Sequence, residues 1–221
     1  MNSPRIALIS ATPLAIAPAA AAMKSAFPTG VVWNLLDDRL LADAQAEGGI
    51  TERLASRMDR MIEAAIADGA DGVLLTCSQY GGRAEVRDAD VDGVAVLSAD
   101  GPLFEEAIAK DPATVLLVAS LESAAADSAE RLGAAFSDAG RSPELRTLVV
   151  PAAAKPLPQE SLESALIAAI EEAGGERGLI VLAQFSLAPA AAAIAARFDA
   201  PVLDGPAAAA RKLSSTVRDR T

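Results

Sequence analysis

The chain has no histidine and only one cysteine, Cys77, among its 221 residues. Histidine is the commonest general base and a common metal ligand, so its absence leaves thiol, carboxylate, lysine, tyrosine or hydroxyl groups for acid–base chemistry. A single cysteine can form neither an internal disulfide nor a CxxC pair. We therefore predict no metal site, and we treat Cys77 as the first residue to be explained.

Basic clusters and long apolar runs are missing as well. Nineteen Lys and Arg residues against thirty Asp and Glu residues give a net charge of −11. No basic stripe interrupts this acidity, so we expect neither nucleic acid nor an anionic membrane as a partner. No apolar run reaches the roughly 20 residues that a membrane-spanning helix needs.

Residues 1–23 combine an early arginine, an apolar stretch and small residues, and they loosely resemble a secretory signal. Two prolines interrupt the apolar stretch, and residues 5–13 have the pattern of a strand followed by a helix start. A similar pattern returns in the second half of the chain, so cleavage would remove a core strand. We therefore predict a cytoplasmic protein.

Aliphatic residues are abundant, although aromatic residues make up only 3% of the chain. Short aliphatic runs alternate with longer segments of helical periodicity, which is typical of parallel α/β sheets covered on both faces. In one such segment a single stripe contains Leu54, Met58, Met61, Ile62 and Ala65. The predicted strands are RIALIS (5–10), VVWNLL (31–36), GVLLTCS (72–78), VAVLS (94–98), TVLLVAS (114–120), LRTLVV (145–150), GLIVLAQ (178–184) and APVLD (200–204).

Local signals mark several helix boundaries. Thr12 before Pro13 predicts an N-cap with proline at the first helical position, and Gly69 predicts the end of a helix. Thr51 and Ser161 are interpreted as simple N-caps.

The two halves of the chain repeat the same order of segments. RIALIS aligns with TVLLVAS, which pairs Ser10 with Ser120; VLLTCS aligns with IVLAQFS, which pairs Cys77 with Gln184; and VLSADGP aligns with VLDGP. Three matches in order at nearly constant spacing indicate an internal duplication. We predict two pseudo-symmetric α/β lobes, residues 1–98 with 205–221 and residues 99–204, with an active-site cleft between them.

Polar residues gather after the predicted strands, where open parallel sheets bind their ligands. Hydroxyl and amide groups at these positions could bind a carboxylate. The candidate substrate-binding residues are Ser10, Thr12, Thr76, Ser78, Ser120, Ser123, Gln184 and Ser186. Cys77 is the candidate catalytic residue, because nearby helix-start amides would favour a thiolate; the alternative is a buried, inert cysteine.

Four features together make the sequence similar to the aspartate/glutamate racemase superfamily. They are LLTCS (74–78), NLLDDRLLADAQAEGGIT (34–51), VLSADGPLFEEAI (96–108) and the repeated layout. This superfamily includes hydantoin racemases, maleate isomerases and arylmalonate decarboxylases, and the resemblance covers nearly the whole chain. It implies a cofactor-independent enzyme in which one cysteine from each lobe flanks the α-carbon of a carboxylate substrate. It also implies a possible homodimer.

The sequence departs from this pattern at one position. Cys77 matches the first-lobe cysteine, but Ala183-Gln184 occupies the second-lobe position. A glutamine amide does not transfer protons near neutral pH, although it can donate a hydrogen bond to a carboxylate or an enediolate, or simply satisfy backbone groups.

One thiol implies one-sided proton transfer on a small carboxylate, which would be an amino acid, a dicarboxylate or a hydantoin-like compound. The alternatives are a one-cysteine decarboxylase or lyase of the same superfamily and a homologue that binds a carboxylate without turnover.

Other polar residues have structural interpretations. Asp37-Asp38 is interpreted as a solvated loop pair, and Tyr80 beside Gly81-Gly82 as either a lid or a packed side chain at a tight turn. Asp100 and Asp204 match across the repeat and are interpreted as turn and hinge residues.

Overall fold

The computed structural model describes residues 3–85, 93–175 and 178–218. The chain divides into two compact units, residues 1–102 with 206–221 and residues 103–205. Each division falls at an Asp-Gly-Pro sequence, 100–102 or 204–206, where a helix begins after the last strand of a unit.

The first unit contains a parallel four-stranded sheet in the order β2-β1-β3-β4. Its strands are β1 (Arg5–Ser10), β2 (Val31–Leu36), β3 (Gly72–Leu75) and β4 (Ala95–Leu97). The helices described up to residue 109 are α1 (Ile16–Ala26), α2 (Leu40–Ala46), α3 (Glu52–Ala67), α4 (Gly82–Glu85) and α5 (Gly101–Ala109).

The second unit repeats this sheet in the order β6-β5-β7-β8, again all parallel. Its strands are β5 (Thr114–Ala119), β6 (Glu144–Val149), β7 (Leu179–Leu182) and β8 (Val202–Asp204). The described helices that follow β5 in the chain are α6 (Glu122–Asp138), α7 (Gln159–Glu172), α8 (Ala191–Phe198) and α9 (Gly205–Arg218). Residues 206–218 of α9 belong to the first unit, and residues 103–109 of α5 belong to the second. All eight predicted strands are present, and the predicted class of two repeated parallel α/β sheets flanked by helices is confirmed.

The predicted stripe of α3 explains how that helix covers its sheet. Leu54, Met58, Ile62 and Ala65 are fully buried, and Met61 packs beside them. They join a cluster with side chains of β1 and β3, so each strand buries alternate residues against α3.

The other face of β3 is approached closely by α9. A Cβ added to Gly72 would lie 2.9 Å from Leu213 Cδ1 and 3.3 Å from Val217 Cγ2. Glycine at the start of β3 therefore permits this close packing of helix on strand.

Helix boundaries follow the sequence signals in part. The Leu14 N–H donates to Thr12 Oγ1 at 3.4 Å, and Gly69 after α3 has a φ of +85°, so both predictions are confirmed. Thr51 occupies the N-cap position of α3, but its hydroxyl donates to Glu47 Oε2 at 2.8 Å and caps no backbone group.

The prediction for Ser161 is wrong. α7 begins at Gln159 with Pro158 at its N-cap position, so Ser161 already lies inside the first turn. Proline supplies the fixed backbone angle that starts the helix without a side-chain cap.

Backbone hydrogen bonds fix which residues of the two sheets correspond. The first residue after β3, Thr76, donates its N–H to the Ile9 carbonyl at 3.0 Å. The first residue after β7, Ala183, donates in the same way to the Val118 carbonyl at 2.9 Å. Because the two bonds occupy the same place in the two sheets, the second residues after these strands also correspond.

Cys77 and Gln184 are these second residues, as the sequence predicts. The alignment of Ser10 with Ser120 is wrong by one position. The backbone N–H after β2 donates to the Ser10 carbonyl at 3.0 Å, and the N–H after β6 donates to the Ala119 carbonyl at 2.8 Å. Ser10 thus corresponds to Ala119, and Ser120 corresponds to Ala11.

Candidate functional site

Three candidate residues of the first unit meet where β1 and β3 end. Ser10 is the last residue of β1, and Thr76 and Cys77 follow β3 directly. Ser10 Oγ and Thr76 Oγ1 share a hydrogen bond of 2.8 Å, and both residues are buried, at 0% and 4% exposure. Their hydroxyls therefore bond to each other and join the two strand ends.

Cys77 lies at the border between this polar pair and the apolar core. It has an extended backbone and precedes a 3₁₀ turn, Ser78–Tyr80, whose last N–H donates to the Cys77 carbonyl at 3.1 Å. The residue is 8% exposed and belongs to the apolar cluster that contains Tyr80 and Ala84. The thiol group thus sits on a residue that is largely enclosed but retains some access to solvent.

Tyr80 is packed inside the first unit and does not form a lid. Its side chain is fully buried, and its hydroxyl donates to the Leu40 carbonyl at 3.1 Å. Burial raises the pKa of Tyr80 to about 12, and the nearby Cys77 and Asp37 act in the same direction. Tyr80 is therefore a neutral donor near pH 7 and cannot serve as a base.

The short helix that follows the turn after Cys77, α4, forms an ion pair with α3. Arg83 donates two hydrogen bonds to Asp59, Nε to Oδ1 at 3.0 Å and Nη2 to Oδ2 at 2.6 Å. These bonds raise the pKa of Arg83, and the bidentate geometry holds α4 against α3. Gly81 has a helical φ of −53°, so the glycines here do not serve a turn that needs positive φ.

The second unit places Gln184 against Ser120. Gln184 Oε1 accepts hydrogen bonds from the Ser120 N–H at 2.6 Å and from Ser120 Oγ at 2.9 Å. A backbone N–H can only donate, so the orientation of the amide is fixed with its oxygen toward Ser120. The Gln184 NH2 group faces away and makes no hydrogen bond within the described ranges, on a side chain that is only half-buried.

The remaining candidates are less closely grouped. Thr12 is half-buried and caps the turn after β1. Ser78 and Ser186 are half-buried in the 3₁₀ turns that follow Cys77 and Gln184, and Ser123 is exposed in the first turn of α6. The structure thus assembles Ser10 with Thr76 and Cys77 in one unit, and Ser120 with Gln184 in the other.

Asp37 is half-buried and ion-paired, in contrast to its interpretation as part of a solvated loop pair. Arg57 Nε lies 2.5 Å from Asp37 Oδ2, and Arg57 Nη2 donates to Asp37 Oδ1 at 2.7 Å. Arg57 also contacts Asp43 at 3.1 Å, while Asp38 is exposed. No local sequence pattern predicts this network, because Arg57 reaches Asp37 only through the packing of α3 near the end of β2.

Gln79 is a polar residue that the sequence analysis missed. Its Oε1 is buried and has no hydrogen-bond partner in the described part of the chain. It occupies the position that corresponds to Ser186, since the 3₁₀ turns follow Cys77 and Gln184 in the same register.

Asp100 and Asp204 each precede the glycine that starts a helix, α5 or α9. Asp100 is buried and Asp204 is half-buried. Their interpretation as hinge residues stays a prediction.

Two further features concern residues 3–85, 93–175 and 178–218. No group of three or more Cys, Asp or Glu side chains there could hold a metal ion. None of the helices described is long and apolar enough to cross a membrane.

The fold that these two sheets define is a duplicated parallel α/β fold, and solved structures share it. Allantoin racemase from Klebsiella pneumoniae is 19% identical, with a TM-score of 0.68 over 98% of this chain and 88% of its own. Glutamate racemase from Thermus thermophilus, in complex with β-chloro-D-alanine, is 14% identical, with a TM-score of 0.69 over 98% and 81%. Unliganded arylmalonate decarboxylase is 17% identical, with a TM-score of 0.60 over 96% and 92%.

These three proteins belong to the aspartate/glutamate racemase superfamily, so the predicted resemblance is confirmed at the level of the fold. No family model and no curated protein sequence matches the chain.

Proposed function

We propose that the protein is a cofactor-independent enzyme that moves a proton at the acidic carbon of a small carboxylate, with Cys77 as its catalytic residue. The observation that carries this proposal is the position of Cys77. It is the second residue after β3, at the carboxyl end of a parallel sheet, and it keeps 8% exposure although the preceding leucines have none.

The surroundings of Cys77 leave few other groups for the reaction. Tyr80 stays neutral because its pKa is about 12, and Asp37 is paired with Arg57. A thiolate at position 77 is therefore the base that this part of the molecule offers.

The proposed chemical step is the transfer of a proton from the α-carbon of the substrate to the Cys77 sulfur. The Cys77 thiolate takes the proton from the α-carbon, the C–H bond breaks as an S–H bond forms, and the electron pair moves into the carboxylate to give an enediolate. Return of a proton from the same thiol restores the acid. Hydrogen-bond donors that face the enediolate oxygens would stabilise its charge.

A decarboxylation that uses the same thiol is the second candidate. Loss of carbon dioxide from a malonate-type acid leaves an enediolate, and a single thiol can protonate it. The fold likeness to arylmalonate decarboxylase and the presence of one cysteine support this alternative.

The test is deuterium uptake in heavy water. Alanine, aspartate, methylmalonate and a hydantoin are incubated with the protein, and exchange at the acidic carbon and loss of carbon dioxide are followed together. We expect at least one of these compounds to react, and the Cys77→Ala variant to lose about 100-fold or more of that rate. Ser56→Ala, at an exposed position on α3, is the matched control and keeps the rate.

Melting curves of all variants show whether the fold is kept. Reaction at an undiminished rate in a folded Cys77→Ala variant would overturn the proposal, as would a wild-type protein that exchanges and decarboxylates none of the compounds. Binding of a carboxylate without exchange would then favour the non-catalytic alternative.

A further inference from the structure

The strand β2 forms an edge of the sheet in the first unit. β1 pairs with it on one side, and no described strand pairs with it on the other. Its sequence, VVWNLL, contains no charged residue and no proline, and Val31 and Leu36 at its two ends are 48% and 43% exposed. Proteins commonly protect such an edge with charges, proline or a covering segment, because an unprotected strand can pair with another chain.

The corresponding edge strand of the second unit, β6, is protected by charges. Glu144 and Arg146 lie within it, and both are exposed. A second chain that paired with β6 would have to accommodate these side chains. The two units therefore contrast one charged edge with one uncharged edge.

Hydrogen bonds show which backbone groups of β2 point away from the sheet. The N–H groups of Val31 and Asp37 both donate to carbonyls of the neighbouring segment that contains β1, at 2.8 and 3.0 Å. The register between these two bonds is unbroken, and successive residues of a strand direct their backbone groups to opposite sides. The N–H and C=O groups of Val32, Asn34 and Leu36 therefore point outward.

A second copy of β2 fits these outward groups when it runs antiparallel and the pairing is centred on Asn34. Asn34 then lies opposite Asn34 of the second copy, and Val32 lies opposite Leu36 at both ends, which gives about six backbone hydrogen bonds. Any other symmetric centre in the strand pairs one of these residues with a residue outside β2. On the other face of the ribbon, Trp33 of each copy lies opposite Leu35 of the other, which is a favourable cross-strand pair.

The same register keeps the acidic residues after β2 apart. Asp37 and Asp38 lie beyond one end of the strand, so antiparallel pairing places those of the two copies at opposite ends of the ribbon, roughly 20 Å apart. Asp37 is also paired with Arg57 of its own unit. No like charges therefore meet along the paired strands.

We propose that the β2 edge, residues Val31–Leu36, is an interaction surface for a second copy of this chain. Antiparallel pairing of the two β2 strands joins two four-stranded sheets into one continuous sheet. The paired segment is short, so the complex is a weak dimer with a Kd of about 1–100 µM. The pairing requires neither Cys77 nor the proposed reaction.

Analytical ultracentrifugation of the full chain, from about 1 µM to about 1 mM, tests this pairing. The salt concentration is set high enough to screen the repulsion between two chains of net charge −11. Wild-type protein changes from one chain to two over this range. Asn34→Pro removes the outward N–H at the centre without removing a bond to β1, so the Kd rises by about 10-fold or more.

Thr147→Pro is the matched control. Thr147 occupies the corresponding outward position of β6, because Asn34 pairs with Leu8 and Thr147 with Leu117 in the same register. This variant leaves the Kd unchanged. Melting curves verify that both proline variants are folded.

A cysteine at the centre of the pairing tests the register without relying on the proline variants. In a Cys77→Ala background, Asn34→Cys brings two Cα atoms to about 5.5 Å, within the range that a disulfide spans. Oxidation therefore links two chains through position 34. Asp38→Cys is also exposed but lies far from its equivalent in the second copy, so it links the chains much more slowly.

A dimer that Asn34→Pro weakens and Thr147→Pro does not, with a rapid link through position 34, supports the β2 pairing. The pairing is ruled out when wild type stays a single chain over the whole range, or when a folded Asn34→Pro variant dimerises as well as wild type. Equal weakening by both proline variants, or equally fast linkage at positions 34 and 38, also rules it out.

Discussion

The two units carry different side chains at corresponding positions of nearly identical strand ends. In the first unit, Ser10 and Thr76 form a buried hydroxyl pair, and the next positions are Ala11 and Cys77. In the second unit the order is reversed: the positions that match the hydroxyl pair hold Ala119 and Ala183, and the next positions hold the bonded pair Ser120 and Gln184.

This difference shows which features the duplication keeps and which it changes. Strand order, register and the 3₁₀ turn after the third strand are the same in both units. In each unit one polar pair joins the ends of the first and third strands. The pair of the second unit lies one residue further along the chain than the pair of the first unit. Because side chains alternate along a strand, moving the pair by one residue leaves Cys77 outside the polar pair in one unit and places an amide at the corresponding position in the other.

The largest effect is expected when the two strand ends are made alike. Gln184→Cys gives the chain the two-cysteine pattern of the racemase family, so we expect inversion of a chiral substrate to rise by about 100-fold, as one added acid–base group can supply. Gln184→Ser, which adds no group of useful pKa, is the control. Polarimetry on a substrate that wild type exchanges makes the measurement, and no rise in inversion would contradict the prediction.

The hydroxyl pair of the first unit gives the next effect, on stability. Thr76→Val leaves the buried Ser10 hydroxyl without its partner and should lower the free energy of unfolding by about 1–3 kcal/mol. The double variant Ser10→Ala, Thr76→Val removes both hydroxyls, as in the second unit, and should recover most of that loss. Urea unfolding of the wild type, Thr76→Val, Ser10→Ala and the double variant measures the coupling energy between the two hydroxyls. Additive losses in the free energy of unfolding would show that their hydrogen bond contributes little.

Tyr80 corresponds to Leu187 of the second unit, and its hydroxyl has no counterpart there. Tyr80→Phe removes the bond to the Leu40 carbonyl and should cost about 0.5–1.5 kcal/mol at neutral pH. The folded pKa of about 12 lies above the unfolded value of about 10, so wild type loses stability as the pH rises from 10 to 12. The Phe variant lacks this loss.

Tyr80 is the only tyrosine in the chain, so phenolate absorbance reports its ionisation directly. A rise in phenolate absorbance near pH 10 while the protein is still folded would show that Tyr80 is not buried as described.

Gly82 supplies the smallest effect. It corresponds to Pro189 of the second unit, is exposed, and has open space where a Cβ would lie. Gly82→Ala should therefore leave exchange unchanged and stabilise the protein by up to about 1 kcal/mol, mainly by restricting the unfolded chain. A loss of more than that amount would show that glycine is needed in this turn. Melting temperature and exchange rate are measured together.

The sequence allowed most of the fold to be predicted, because strands and helices leave local patterns. The aliphatic runs, the stripe of α3 and the position of Gly69 each depend on residues close in the chain. The contacts that shape the candidate site join distant residues. Gln184 reaches Ser120 across 64 positions, and the one-residue error in aligning Ser10 with Ser120 concealed that contact.

The ion pair between α3 and the connection after β2 could not be predicted either. Arg57 could have faced solvent on α3, and only the packing of that helix brings it to Asp37. Ser161 is of a residue type that often caps helices, but Pro158 occupies the N-cap position instead. Residue type alone does not choose between such alternatives, since tertiary packing decides which groups meet.

The most direct test of one-sided proton transfer by Cys77 compares deuterium uptake with loss of optical activity, using one enantiomer of a chiral carboxylate in heavy water. A single thiol that removes and returns the proton on one face should give many exchanges for each inversion, with configuration retained. Inversion at every exchange in the wild-type protein would contradict this, because it requires a second proton donor on the opposite face.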